Sequence, residues 1–186
     1  MLAKSKEHEV PITLRFQELR DEQMQPAHGE LPFFLQENTV IQFLQYPYEQ
    51  VVAENFVEIL EKMELINDLS CYEEIYGILK KEALDGRKVE QQIIEIGTKR
   101  ELFFGKDRLD TVLRYKDYTY MKRKWTAYLK RERKKEPDWV EVMILLEAFF
   151  PPVWRAIIRD EIFIGDWMPE LCRCLLYTSD AADDGE

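Results

Sequence analysis

From Pro47 onward the chain repeats its apolar residues with a helical period. Tyr48, Val51, Val52, Phe56, Ile59 and Leu60 follow a first-turn proline, which predicts a helix over about 47–65. Asn67, Asp68 or Ser70 can cap the next helix, about 70–82, whose inward residues are Tyr72, Ile75, Tyr76 and Leu79. Asp85 caps a third, with Val89, Ile93 and Ile96 on one side and Gly97 as its stop. A fourth, about 107–115, carries Leu109, Val112 and Leu113. A fifth, about 118–135, puts Met121, Trp125, Tyr128 and Leu129 on one stripe. Pro137 opens a sixth with Val140, Met143, Ile144 and Phe150; Pro151-Pro152 ends it and starts a short seventh through Ile158.

Before Pro47 the period is two. Ile12, Leu14 and Phe16 alternate with Thr13, Arg15 and Gln17, predicting a strand over 10–18, and Thr39 to Tyr46 reads as a second. Strand signals end there. The expected fold is α+β, mainly α: a two-strand segment followed by a bundle of about seven helices. Two strands alone are marginal in water, so the segment reads as part of a larger sheet. The organisation is 1–46, partial β segment; 47–173, helical domain; 174–186, a tail. "CLLYTSDAADDGE" resembles translated sequencing adapter of the kind left at the ends of metagenomic contigs, and is set aside as non-native.

Composition is that of an ordinary globular chain, 46% hydrophobic and 33% charged over 186 residues. No apolar run is long enough to span a membrane, and "MLAKSKEHEV" lacks the apolar core of a signal peptide, which points to the cytoplasm. Three cysteines and two histidines suit neither a disulfide framework nor a soft-metal site, so no metal is expected. A formal charge of -10 opposes general nucleic-acid binding. Removing the tail with Asp180, Asp183, Asp184 and Glu186 moves it from -10 to -6 without changing the sign.

The chain has no phosphate-binding glycine loop, dinucleotide fingerprint, nucleophile elbow or zinc-protease motif. His8 and His28 stand apart from any cluster. "KRKWTAYLKRERKK", 122–135, holds eight basic residues with Trp125 and Tyr128 interleaved. One reading is a nucleic-acid contact through Lys130, Arg131, Arg133 and Lys134. The other places Trp125 and Tyr128 in the core beside Met121 and Leu129, with the cations a solvated face, and the shared stripe favours it. Cys71 near a helix start could have an activated thiol, but no histidine is near it in sequence, so an idle cysteine fits better. Glu54, Glu58, Glu61 and Glu64 share one helical face, usually a charged exterior.

"YPYEQVVAENFVEILEKMELINDLSCYEEIYGILKKEALDGRKVEQQI" resembles the nucleotidyltransferase AbiEii/AbiGii toxin family, whose members read like "YP-x-E-x-x-[VL]-AEK" and then "R-x-K-D-x-Y-D". "KRKWTAYL" and "WVEVMILLEAFFPPVWRAI" are similar to its C-terminal helices, so the layout extends from Tyr46 to about Ile157. The resemblance implies a polymerase-β-like enzyme of toxin–antitoxin or abortive-infection phage defence. Such an enzyme uses Mg2+ and a nucleoside triphosphate to transfer a nucleotide to an RNA or protein acceptor, and has a cognate antitoxin as partner. Clustered carboxylates hold the metal because hard cations prefer oxygen.

Against that pattern, the Gly-Ser/Asp-x-Asp segment is absent, and Gly97-Thr98 lies in the helical half with no acid pair after it. The strand expected to supply a third acid is "ITLRF". Glu54 matches the "AEK" motif, but its lysine is Asn55. The family's arginine, lysine and aspartate fall on Asp68, Ser70 and Cys71, and Glu74 replaces the later aspartate. Glu54 and Glu74 are the candidate catalytic remnants. The resemblance therefore implies a fragment or a divergent, inactive member; the other reading is a stand-alone helical binding or regulatory protein.

Overall fold

A computed structural model describes residues 2–5, 8–11, 27–32 and 40–176, with a division between Tyr46 and Pro47 into two units. In the first, β1 (Leu2–Ser5) pairs antiparallel with β2 (His8–Pro11), and β3 (Ala27–Pro32) with β4 (Val40–Gln45). β4 occupies the second expected strand. Of the expected strand 10–18, Val10 and Pro11 lie in β2 and the remainder lies outside the described residues. Glu30 and Gln42 stand opposite each other in the β3–β4 register, and the Gln42 amide donates to Glu30 Oε1 at 3.4 Å.

The second unit is mainly helical: α1 (Tyr48–Lys62), α2 (Ser70–Leu79), α3 (Gly86–Lys99), α4 (Lys106–Arg114), α5 (Thr119–Arg131) and α6 (Trp139–Arg159). A one-turn 3-10 helix, Met63–Leu65, extends α1. Strands β5 (Leu84–Asp85), β6 (Gly165–Met168) and β7 (Arg173–Leu176) form an antiparallel sheet in that order. Strand structure therefore does not end at Tyr46. Cys174–Leu176, grouped with the tail in the sequence reading, pair with β6, and Trp167 faces Cys174.

Among the described residues there are six α-helices rather than about seven, because α6 continues through Pro151 and Pro152. An interior proline costs about 3 kcal/mol through its missing N–H and its ring. The residues on either side outweigh that locally: Phe149, Phe150, Val153 and Trp154 are all buried, each worth roughly 1.5–3 kcal/mol. Phe150 stacks on Phe56 of α1 with centroids 3.6 Å apart and planes 5° from parallel, an anchor a broken helix would lose. Pro137 does not sit in the first turn: it follows a cis peptide bond and precedes Asp138, whose side chain accepts the Val140 N–H at 2.8 Å and starts the helix. Ile144, expected inside, is 48% exposed.

Asp85 caps α3 as expected, accepting the Lys88 N–H at 3.1 Å. Gly97 does not stop that helix. It lies within it, under the Phe104 ring, where a Cβ would collide. The left-handed residue that ends α3 is Glu101, φ 55°, and the Leu102 N–H closes back on the Gly97 carbonyl at 2.8 Å. Arg133 after α5 and Asp160 after α6 repeat the arrangement, with Lys134 N to Leu129 O at 2.8 Å and Glu161 N to Ala156 O at 3.0 Å. Three helix ends thus use a left-handed turn without glycine, the residue that would have signalled it in sequence.

The core combines Val52, Phe56, Ile59 and Leu60 of α1 with α2, α3 and the apolar side of α6. Trp125, Trp139 and Trp167 are buried, and their indole N–H groups donate to the carbonyls of Pro137, Tyr115 and Leu79 at 2.8–2.9 Å. The carboxyl end of α1 is held by cations from later elements. Arg108 donates to the Leu60 carbonyl at 2.9 Å, and Lys124 to that of Glu64 at 3.0 Å.

Candidate functional site

Glu54 and Asn55 are adjacent on α1, and the helical turn between them sends their side chains to different neighbours. Glu54 is paired with Arg100 just beyond α3, and Glu58 Oε2 and Glu61 Oε2 reach the same guanidinium at 3.3 and 3.7 Å. Glu58 also pairs with Lys62 one turn on. The guanidinium is 18% exposed and Glu54 and Glu58 are each 17% exposed, so this is a semi-buried charge cluster, which solvent screens less than a surface pair. Asn55, 9% exposed, donates from Nδ2 to Glu74 Oε2 at 3.0 Å and joins α1 to α2.

The other motif-matched positions gather at the start of α2. Asp68 Oδ1 accepts the Ser70 N–H at 3.0 Å in a local turn, while the residue at the capping position of α2 is Leu69, which makes no side-chain cap. The Cys71 thiol donates to the Asp68 carbonyl at 3.4 Å. Burial pushes that thiol up to about 12, with Glu58, Asp68 and Glu74 adding to the effect. A thiol so protonated is not a nucleophile near neutral pH. The structure thus brings Asn55 and Glu74 together and turns Glu54 away from them, toward Arg100. Among the described residues no group of three or more His, Cys, Asp or Glu side chains could hold a metal ion. His8 lies in β2 and His28 in β3.

The basic stretch divides between core, structural ties and open cations. Trp125 and Tyr128 are 2% and 4% exposed, and they pack with Met121 and Leu129 as the stripe predicts. Tyr128 and Lys134 both contact Glu73, tying α5 and the turn behind it to α2. The Arg131 guanidinium lies 5.4 Å from the Tyr128 ring centroid and pairs with Glu132 at 3.2 Å. Lys130, Arg133 and Lys135 are exposed and have no acidic partner among the described residues.

Between α5 and the start of α6 lies a groove of about 780 Å³. Lys122, Lys130, Lys134 and Lys135 line it on the α5 side, Glu136, Asp138 and Glu141 on the α6 side, and buried Trp125 and Trp139 form its base. The sequence shows the basic run; the groove depends on the path from α5 into α6 and is not legible there. At the amino end of α5, Tyr118 and Tyr120 are 47% and 48% exposed, their ring centroids 5.9 Å apart. Sequence reading missed these two rings because it looked for aromatics inside the basic run.

No helix among the described residues is long and apolar enough to cross a membrane. No protein-family model matches the chain, and neither a curated protein nor a solved structure matches it.

Proposed function

We propose that residues 47–176 are the non-catalytic helical module of a cytoplasmic nucleotidyltransferase of the AbiEii/AbiGii kind, acting in toxin–antitoxin or abortive-infection defence. The layout from Tyr46 to Ile157 supports the family half of this reading. The observation that carries the non-catalytic half is the use of the motif-matched side chains: Glu54 is clamped by Arg100, Asn55 is joined to Glu74, and Cys71 is buried. Metal-assisted nucleotidyl transfer needs carboxylates converging on a divalent cation with coordination positions left for phosphate oxygens. Here Glu54 of α1 meets Arg100 just beyond α3 while Glu74 of α2 meets Asn55 of α1, so the carboxylates hold helices together. Mg2+, the nucleoside triphosphate and the RNA or protein acceptor would be handled by a catalytic segment outside these residues, and a cognate antitoxin would be the regulatory partner.

The test uses the whole chain with Mg2+, each labelled nucleoside triphosphate in turn, and bulk RNA or protein as acceptor. No label is expected to transfer. Transfer that disappears in Glu54→Gln or Glu74→Gln would overturn the reading. Sequencing the gene upstream of Met1 tests the family half: an in-frame glycine turn followed by two acids supports it, and an in-frame stop sinks it.

The second reading, a stand-alone helical binding protein, is favoured by one observation. The buried apolar residues described in this unit, from Val52 to Trp167, form one cluster, so the helical unit has a hydrophobic centre of its own.

A further inference from the structure

We infer that one side of α5, together with Tyr118 just before it and the turn behind it to Lys135, binds single-stranded nucleic acid along its phosphates. Tyr118, Lys122, Thr126 and Lys130 recur every fourth residue and therefore share one side of the helix, with steps of about 6 Å along the axis. That stripe leads into the groove, where Lys122 and Lys130 are joined by Lys135 from the turn behind the helix.

Three observations select the ligand. First, Lys130, Arg133 and Lys135 form no ion pair among the described residues, whereas Lys62, Lys99, Arg100 and Lys116 are each paired. Cations without ion partners beside a groove suit a polymer carrying one negative charge per unit, and Lys122, the other cation of the stripe, is only loosely paired, with Asp117 at 3.8 Å. Second, Tyr118 and Tyr120 leave about half of their surface in water at one end of the row, and Lys124 sits 5.2 Å from the Tyr120 centroid. Open rings beside cations are the elements of a base-stacking platform, and they are tolerant of sequence. Trp125 and Tyr128 cannot serve, being buried. Third, the opposite wall carries Glu136, Asp138 and Glu141. These acids repel a second phosphate backbone, so the groove accepts one strand held against α5 and disfavours a duplex. The acidic charge of the whole chain, -10, makes the affinity modest and steeply salt-dependent. The inference is independent of the nucleotidyltransferase reading, since none of its residues belongs to the motif-matched set.

The experiment is fluorescence anisotropy of the full chain with end-labelled oligouridylate and oligothymidylate of about 20 nucleotides, titrated at rising salt from about 50 mM. Both are expected to bind at the lowest salt; equal affinity assigns the site to single strands in general, and a preference for the uridylate assigns it to RNA through the 2′-hydroxyl. Lys122→Gln/Lys130→Gln/Lys135→Gln should weaken binding roughly tenfold or more and lower the slope of log K against log salt by about 2. Tyr118→Ser/Tyr120→Ser should weaken it roughly tenfold with the slope unchanged, and Glu141→Gln should tighten it. A control, Lys80→Gln/Lys81→Gln/Arg87→Gln in the turn after α2 and at the start of α3, should leave it intact. The inference is overturned by no binding at the lowest salt or by equal loss in the control. It also fails if the triple variant binds like the unaltered chain, if a duplex of the same length binds as tightly, or if polyglutamate competes equally, which would make this an acidic-peptide site. All substituted side chains are solvent-accessible, and matching melting curves separate lost binding from lost folding.

Discussion

On α1, three acids turn toward the single guanidinium of Arg100; on α5 and the turn behind it, Lys130, Arg133 and Lys135 form no ion pair among the described residues. Both are polar sides of amphipathic helices, and charge count does not distinguish them. The difference lies in what each packs beside. α1 lies against α2 and α3, so its polar residues meet Glu74 and Arg100 and become ties between elements. The open side of α5 borders a groove, which leaves its cations for a ligand. Partnered charge holds a fold together, and unpartnered charge is available to bind.

The sharpest way to break this contrast is Arg100→Ala. Glu54, Glu58 and Glu61 would then lose the guanidinium they share, Glu58 keeping Lys62, and we expect a loss of about 2 kcal/mol, below the full cost of a deeply buried pair. Thermal melting would read this as a fall of roughly 4–8 °C; an unchanged melting temperature would mean that the cluster is only a surface ornament. Asn55→Ala removes the tie to Glu74 and should cost about 1 kcal/mol in urea unfolding. A smaller loss for Asn55→Leu would indicate that burial, rather than the amide bond, matters at this position.

On the α5 side the signs reverse. Arg133→Gly should stabilise the chain by about 0.5–1 kcal/mol, because Arg133 holds φ 57°, where glycine has no Cβ penalty. The same change removes an open cation and should weaken oligonucleotide binding. Glu90 is the intermediate case, an acid buried at 3% exposure. One oxygen accepts the Phe163 N–H at 3.0 Å and the other has no hydrogen-bond partner among the described residues. Burial raises its pKa above the ordinary 4.5, opposed by the Phe163 hydrogen bond and by Arg87. The folded state therefore holds the proton more tightly than the unfolded state, and the stability Glu90 contributes is fully present below about 4.5 and lost as pH rises through the folded value. Glu90→Gln should flatten that decline in a series of melts from pH 4 upward, and a slope identical to that of the unaltered chain would contradict it. The smallest effect belongs to Lys130→Gln, expected within about 0.5 kcal/mol of the unaltered chain in stability.

Local chemistry made much of the fold legible. Asp85 placed the start of α3, and the spacing of Met121, Trp125, Tyr128 and Leu129 identified the buried side of α5. Hydrophobic period and side-chain caps act within a few residues, so the sequence states them directly. The same local rules misplaced the end of α3 and divided α6. Gly97 serves the Phe104 contact instead of a turn, and Pro151-Pro152 is carried by the aromatic contacts of Phe149, Phe150 and Trp154.

The sequence by itself determined that the chain from Pro47 is mainly a set of amphipathic helices, most but not all of the residues that face inward, and that no ready-made nucleotide loop accompanies them. Only the tertiary structure decided that Glu54 meets Arg100 while Asn55 meets Glu74, that β5, β6 and β7 form a sheet, and which cations of the basic run remain open. The Asn55 and Glu54 contacts join residues 19 and 46 positions apart, and β5 meets β6 across a longer separation still. Their formation depends on how buried surfaces bring helices together, and periodicity along one helix carries no information about the partner that another helix will place beside it.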